Sequence, residues 1–183
     1  ILENNELKFG KINAILNEKN EFSYTLKTNL ENEKITNIYI EEPEPFIKNY
    51  KFIKGFKKGI LNYNSIEKNG FSKIKLKISD FKVKEVPVLA KILTLASLQG
   101  IADLLTGEGI RFDDFEMEYT NKNKTTTIQE MYVIGPAISI LMEGYIHKDK
   151  LSWQTQLKVS KFAASESPSK LYLEAGTSIS VED

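Results

Sequence analysis

Lys73–Val83 has the sequence KIKLKISDFKV, and its alternation decides the fold that we predict for the whole chain. A strand directs successive side chains to opposite faces of a sheet, so this segment predicts one apolar face and one cationic face. Phe81 and Val83 extend the apolar set. The alternating residues are, in order, Lys73, Ile74, Lys75, Leu76, Lys77 and Ile78.

Val86–Leu105 follows with VPVLAKILTLASLQGIADLL, the longest apolar run in the chain. Thirteen of its twenty residues are Val, Leu, Ile or Ala, so the run is long enough to cross a bilayer as a helix. Lys91 and Asp103 would each cost about 2.5–3.5 kcal/mol at the bilayer centre, which disfavours that interpretation. Pro87 suits a first helical turn. We therefore predict a helix over residues 86–106 that is covered on most sides.

Apolar and polar residues alternate on both sides of this region. Such segments are typical of half-buried strands; they run from about Glu6 to Ile40 and resume after Gly109 as far as Val159. Phe46–Phe56 instead places apolar residues near helical spacing, which predicts a short helix. The pattern weakens after Val159, where we expect a loop-like tail.

These patterns predict a mainly β protein with helices, in the α+β class. We expect an antiparallel, curled β-meander sheet with the long apolar helix packed on its concave face, together with one short helix. Residues 1–159 would form this segment, with its helix at 86–106. Residues 160–183 would be a loop-like tail or a divergent end of the same segment. Because the chain begins with Ile1, we expect it to be a piece of a longer protein.

Composition excludes several classes of function. The chain has 25 basic and 25 acidic side chains, and a neutral sum argues against a nucleic-acid binder, which needs excess positive charge. The lack of Cys excludes disulfides and thiolate chemistry. His147 is the only histidine, without a Ser or carboxylate partner at a recognisable spacing. We therefore expect a protein that is not an enzyme, with no catalytic residue, cofactor or metal site.

The lysine row at positions 73, 75 and 77 leaves two interpretations open. It suits a solvated strand face, where lysines also discourage edge-to-edge pairing of sheets. It also suits attraction to an anionic membrane surface.

Several segments resemble the AsmA-like envelope proteins, in particular the C-terminal region of their YhdP type. The segments that carry the resemblance are Ile78–Val83, Val86–Leu93, Ala96–Phe112, Ile134–Ile140 and Glu143–Ile146. The likeness covers the chain from about Phe46 to Leu157, and residues 159–183 depart from it.

The resemblance implies a large protein of Gram-negative bacteria, anchored in the inner membrane by a helix outside this chain. It implies a periplasmic location and a build related to bridge-like lipid transfer proteins. The expected function is to shield and conduct phospholipids between the inner and outer membranes through an apolar groove. Such a groove is needed because each exposed CH₂ group costs about 0.8 kcal/mol in water. The alternative is a non-enzymatic structural or assembly factor whose helix plugs the groove or binds a partner protein.

The expected partners are phospholipid acyl chains, the inner membrane through the external anchor, and an outer-membrane or envelope protein. No nucleic acid is expected. We predict that the groove is lined by apolar residues from two strand regions, the helix and a later strand. They are Ile74, Leu76, Ile78, Leu89, Ile92, Leu93, Phe115, Met117, Ile138 and Ile140.

Overall fold

The computed structural model describes most of the chain up to residue 147 and two shorter segments beyond it. The described residues are 2–3, 6–48, 54–84, 109–135, 139–147, 153–160 and 172–175. They form almost entirely β-structure.

Ten strands form one antiparallel sheet in which each strand pairs with its neighbours in chain order. Two further short strands, β1 (Leu2–Glu3) and β2 (Glu6–Leu7), pair with each other. The strands of the large sheet are β3 (Phe9–Leu16), β4 (Asn20–Thr28), β5 (Lys34–Glu41), β6 (Lys57–Lys68), β7 (Phe71–Val83), β8 (Ile110–Lys122), β9 (Thr125–Ile134), β10 (Ser139–His147), β11 (Trp153–Ser160) and β12 (Tyr172–Ala175).

Asparagines allow the chain to reverse direction at four of the hairpins. Asn17, Asn32, Asn69 and Asn123 have φ between 50° and 59°. Asparagine tolerates this left-handed conformation better than most residues, because its side chain can hydrogen-bond to the local backbone. The Asn69-Gly70 pair joins β6 to β7 as a tight turn, as expected of the Asn-Gly sequence. These short turns hold neighbouring strands in register.

The strand predicted at Lys73–Val83 is confirmed as part of β7. Ile74 and Ile78 are 2% and 8% exposed, whereas Lys73 and Lys75 are exposed to solvent. Leu76, between the two isoleucines on the same face, is half-buried. The alternation therefore divides this strand into an apolar face and a cationic face, as the sequence predicts.

The alternation of β7 shifts at Asp80, which has φ of 53°. A Cβ atom added at Gly59 would lie 3.1 Å from Phe81 Cβ and 3.4 Å from Ile78 Cγ2, so these two side chains lie on the same side of β6. Strict alternation would have put them on opposite faces. The ring of Phe81 stacks on Phe56 and Phe112 at centroid distances of 5.3 and 5.4 Å. The left-handed residue thus brings a buried aromatic stack onto the apolar face.

The predicted α+β class is wrong. In the described part of the chain the only helix is α1 (Glu44–Ile47), four residues long, and no long apolar helix packs on the sheet. The predicted helix at 86–106 lies outside the described residues. No helix in the described ranges has the length and hydropathy to cross a membrane.

The short helix predicted at Phe46–Phe56 is also wrong in its extent. α1 ends at Ile47, and Lys54 to Phe56 are not helical. The φ of 65° at Gly55 is incompatible with a continuing right-handed helix. The apolar spacing was present, but Phe56 packs with the aromatic stack of the sheet instead.

Replacement of Ile74 by Ala should destabilise the sheet. Ile74 is 2% exposed, and truncation of a buried isoleucine usually lowers the free energy of unfolding by about 2–5 kcal/mol. Ile66→Ala is the matched control, because Ile66 pairs with Lys73 and is 38% exposed. Urea denaturation of both variants measures the difference. An equal decrease in the free energy of unfolding of the two variants would show that the apolar face is no better packed than the polar face.

Candidate functional site: the apolar face of the sheet

Two rows of apolar residues cross the sheet from its first strand to its last. The register places one apolar residue of every strand in the first row, without interruption. From β3 to β12 they are Ala14, Phe22, Ile40, Leu61, Ile78, Phe115, Val133, Ile140, Val159 and Leu173. Ten strands at the usual spacing span on the order of 40 Å.

The second row lies two residues along each strand, which from β3 to β9 is on the same face as the first row. It is formed by Ile12, Tyr24, Ile38, Tyr63, Leu76, Met117, Met131, Met142, Leu157 and Ala175. The chain has three methionines, and all of them occupy neighbouring positions in this row. Methionine is flexible and polarisable, and it is common on surfaces that accept ligands of variable shape. We call the two rows together the apolar face.

The side chains of the apolar face are partly accessible to solvent. From β4 to β9 no residue of the two rows is exposed: Ile40 and Ile78 are buried, and the other residues are half-buried. At the edge strand, Ile12 is 55% exposed. Apolar side chains on ordinary protein surfaces are mostly scattered singly. A continuous, half-buried apolar surface of this width is therefore unusual.

The structure brings together five of the predicted groove residues. They occupy neighbouring positions of β7 and β8 on the apolar face, and they are Ile74, Leu76, Ile78, Phe115 and Met117. Ile140 continues the first row by its pairing with Val133. The other four predicted residues, Leu89, Ile92, Leu93 and Ile138, lie outside the described residues.

Sequence reasoning missed the contribution of β4, β5, β6 and β9 to this face. Their residues alternate as clearly as those of β7, for example Phe22 and Tyr24 in β4 or Leu61 and Tyr63 in β6. The hairpin turns fix which of these residues lie side by side, and that information was present in the Asn-containing turns. Counting outward from a turn therefore extends the rows across each hairpin, for example from β7 to β6 or from β8 to β9.

The opposite face of β7 and β8 is neutralised by ion pairs. Lys75 contacts Glu116 and lies 3.1 Å from Glu118, and Lys77 Nζ lies 3.2 Å from Asp114 Oδ1. Asp114 also accepts a hydrogen bond of 3.2 Å from the Ser79 hydroxyl. We call these contacts the β7–β8 ladder. Because its lysines are paired with carboxylates, two of the three lysines in the predicted cationic row do not form an uncompensated basic surface.

The ladder shifts the titration of its members. Hydrogen bonds to Glu116 and Glu118 raise the pKa of Lys75 to about 12. The hydrogen bond from Lys75 lowers the pKa of Glu116, and a further hydrogen bond from Tyr132 acts in the same direction. Burial, followed by the bond to Glu116, raises the pKa of Tyr132. Both shifts favour the ionised forms of Lys75 and Glu116, so this ion pair persists across the neutral range.

The described residues include no group of three His, Cys, Asp or Glu side chains arranged to hold a metal. Comparison of the chain with protein-family models, curated proteins and solved structures gave no match. The apolar face and its surroundings are therefore the features from which a function can be inferred.

Replacement of Glu116 by Gln should lower stability at neutral pH and flatten its loss in acid. The folded pKa of Glu116 lies below its unfolded value, so its contribution is present above pH 4–5 and is lost as pH falls through the folded pKa. Since Lys75 is half exposed, we expect a decrease of only about 0.5–1 kcal/mol in the free energy of unfolding.

Thermal melts between pH 2 and pH 8 measure this effect. Glu67→Gln is the control, because Glu67 is exposed in β6 and forms no ion pair within the described residues. A Glu116→Gln curve that parallels the parent curve at every pH would show that the ladder does not contribute to stability.

Proposed function

We propose that the chain is a periplasmic segment of an inner-membrane-anchored protein, and that its apolar face shields and conducts phospholipids between the inner and outer membranes. The observation that carries the proposal is the pair of uninterrupted apolar rows across ten strands. Acyl chains lying across the strands would meet aliphatic, aromatic or methionine side chains at every strand from β3 to β9.

The apolar face suits a long, uniform ligand better than a compact one. Its rows offer many similar contacts of Leu, Ile, Val, Phe and Met and few polar groups that could orient a ligand. Burial of each CH₂ group is worth about 0.8 kcal/mol, so a chain of many such groups gains substantial free energy without a specific pocket. Equivalent neighbouring sites also favour movement, because a ligand that shifts by one strand exchanges similar contacts.

The resemblance to AsmA-like envelope proteins supplies the cellular part of the proposal. It implies a periplasmic location, an inner-membrane anchor outside this chain and phospholipid as the cargo. The segments Ile78–Val83 and Glu143–Ile146, which belong to that resemblance, lie in β7 and β10 of the sheet. On this proposal the protein acts without chemical conversion of its ligand.

Photo-cross-linking tests the proposal directly. A photoreactive amino acid at Leu76 or Met117 should capture phospholipid, because both residues lie in the second row of the apolar face. The same probe at Lys73 or Glu118, on the opposite face of the same strands, is the matched control and should capture much less. Mass spectrometry of the cross-linked protein, prepared from a Gram-negative cell envelope, identifies the lipid.

The two other outcomes contradict the proposal in different ways. Equal labelling from both faces would indicate nonspecific contact with membrane. Cross-links from Leu76 and Met117 to protein, without lipid, would favour the alternative role as an envelope assembly factor that binds a partner protein through this face.

A further inference from the structure

We propose that three methionines at adjacent positions of the second row form a binding site for a soft monovalent metal ion, Cu(I). They are Met117 in β8, Met131 in β9 and Met142 in β10, and they are all the methionines of the chain. We call them the methionine row. Thioether sulfur is a soft ligand that selects Cu(I), whereas harder divalent cations prefer oxygen and nitrogen ligands.

The strand register places the three methionines directly opposite one another. Met117 pairs with Met131 across β8 and β9, and Met131 pairs with Met142 across β9 and β10. Directly opposed residues of antiparallel strands have Cβ atoms about 4.5–5.5 Å apart on one face. The sequence has no cluster of His or Cys, which led us to expect no metal site. The methionines are instead assembled by the pairing of the strands.

This spacing suits several sulfur ligands on one ion. A bond from a metal ion to sulfur is about 2.3 Å long, so two sulfur atoms on the same ion lie at most about 4.6 Å apart. That distance is close to the spacing of directly opposed residues. The two outer positions are separated by two strand spacings, about 10 Å. The three rotatable bonds of methionine allow a side chain at either outer position to reach an ion held at the central one.

A β-bulge lies directly beside the methionine row. β9 has one extra residue, Gln129, opposite the junction of Glu118 and Tyr119 in β8. The pairing of β9 with β10 shifts at the same place, next to Met142. The other described pairs of the large sheet keep one register throughout. A bulge bends its strand, increases the local twist and often re-aims side chains beside functional sites.

The surroundings of the methionine row favour a soft, weakly hydrated ion. Phe115 and Tyr119 flank Met117 on the same face of β8, and Val133 lies next to Met131 on the same face of β9. The carboxylates of β8 lie on the opposite face in the β7–β8 ladder. Within the described part of the chain, the positions beside the row therefore offer no carboxylate or imidazole to Mg²⁺, Ca²⁺ or Zn²⁺.

Packing alone accounts less well for the methionine row. Methionine often fills gaps in apolar regions, but leucine has a similar volume and replaces it at small cost. The other positions of the second row carry Ile, Leu, Tyr or Ala. Grouping every methionine of the chain at directly opposed positions is what a set of thioether ligands requires. Met117 and Met131 are also half-buried, which leaves an ion a path from solvent.

Titration of the whole chain with Ag(I), a soft monovalent probe that stands in for Cu(I), tests the inference. With isotope-labelled methionine methyl groups, an NMR spectrum contains one signal for each of the three methionines. We expect all three signals to shift together, with an end point at one ion per chain, and Mg²⁺ or Zn²⁺ to leave them in place. Signals that do not move, or that respond at different Ag(I) concentrations, would contradict a shared site.

Replacement of Met131 by Leu removes the central ligand with little change in volume. Loss of a direct ligand should weaken Ag(I) binding by at least the roughly 10–100-fold that loss of an outer-shell partner costs. The variant Met131→Leu/Leu61→Met restores three methionines but places one of them in β6, away from the row. It should bind as weakly as Met131→Leu, and recovery of the parent affinity would overturn the inference.

The control His147→Ala removes the only imidazole of the chain. It should bind Ag(I) as tightly as the parent, and a large loss of affinity would assign the ion to the histidine instead. Competition with a weak chromophoric Cu(I) chelator under anaerobic conditions extends the test to Cu(I). The parent should draw Cu(I) from the chelator much more strongly than Met131→Leu, and equal competition by the two would contradict the proposed site.

Thermal melts without metal separate loss of the site from loss of the fold. Met131→Leu should melt close to the parent, because leucine preserves the apolar surface; Met117→Leu provides a second variant with the same expected loss of binding. The metal site does not depend on the lipid function. Photo-cross-linking of lipid from Leu76 should persist in Met131→Leu, and its failure in the parent would leave Ag(I) binding unchanged.

Discussion

The register between β7 and β8 is the constraint on which the two faces of the sheet depend. Most neighbouring strands are joined by turns of a few residues, which fix their register locally. β7 and β8 are instead joined by residues 84–109, the longest connection in the sheet. Their register must therefore come from contacts between the strands themselves. A slip of one residue would place lysines of β7 beside apolar residues of β8 and interrupt both rows.

Contacts on both faces favour the observed register. On one face, Ile74, Leu76 and Ile78 pair with Tyr119, Met117 and Phe115. On the other, the β7–β8 ladder joins lysines to carboxylates. Individual ion pairs at half-exposed positions are weak, but a slipped register would lose all of them and would also bury charge against the apolar rows. The difference between registers is consequently much larger than the strength of any one pair.

The sequence predicted the strands more reliably than the helices. Apolar and polar residues alternate clearly with the two-residue period of a strand, whereas no segment shows an equally clear 3.6-residue helical period. The alternation in Lys73–Val83 and the asparagine turns were sufficient to assign half of the predicted groove to one face. The shift at Asp80, which moves Phe81 and Val83 onto the face of Ile78, depends on a left-handed aspartate that no local pattern indicates.

Cross-linking of engineered cysteines measures this register most directly, because the chain has no cysteine of its own. Lys73→Cys would be combined in turn with a cysteine at Tyr119, Thr120 or Asn121, and each pair treated with a short thiol-reactive linker. The observed register predicts that the Thr120 partner reacts fastest, since it lies directly opposite residue 73 on the same face. Faster reaction at position 119 or 121 would mean that β7 and β8 pair one residue out of this register, and the continuous apolar face would then not exist.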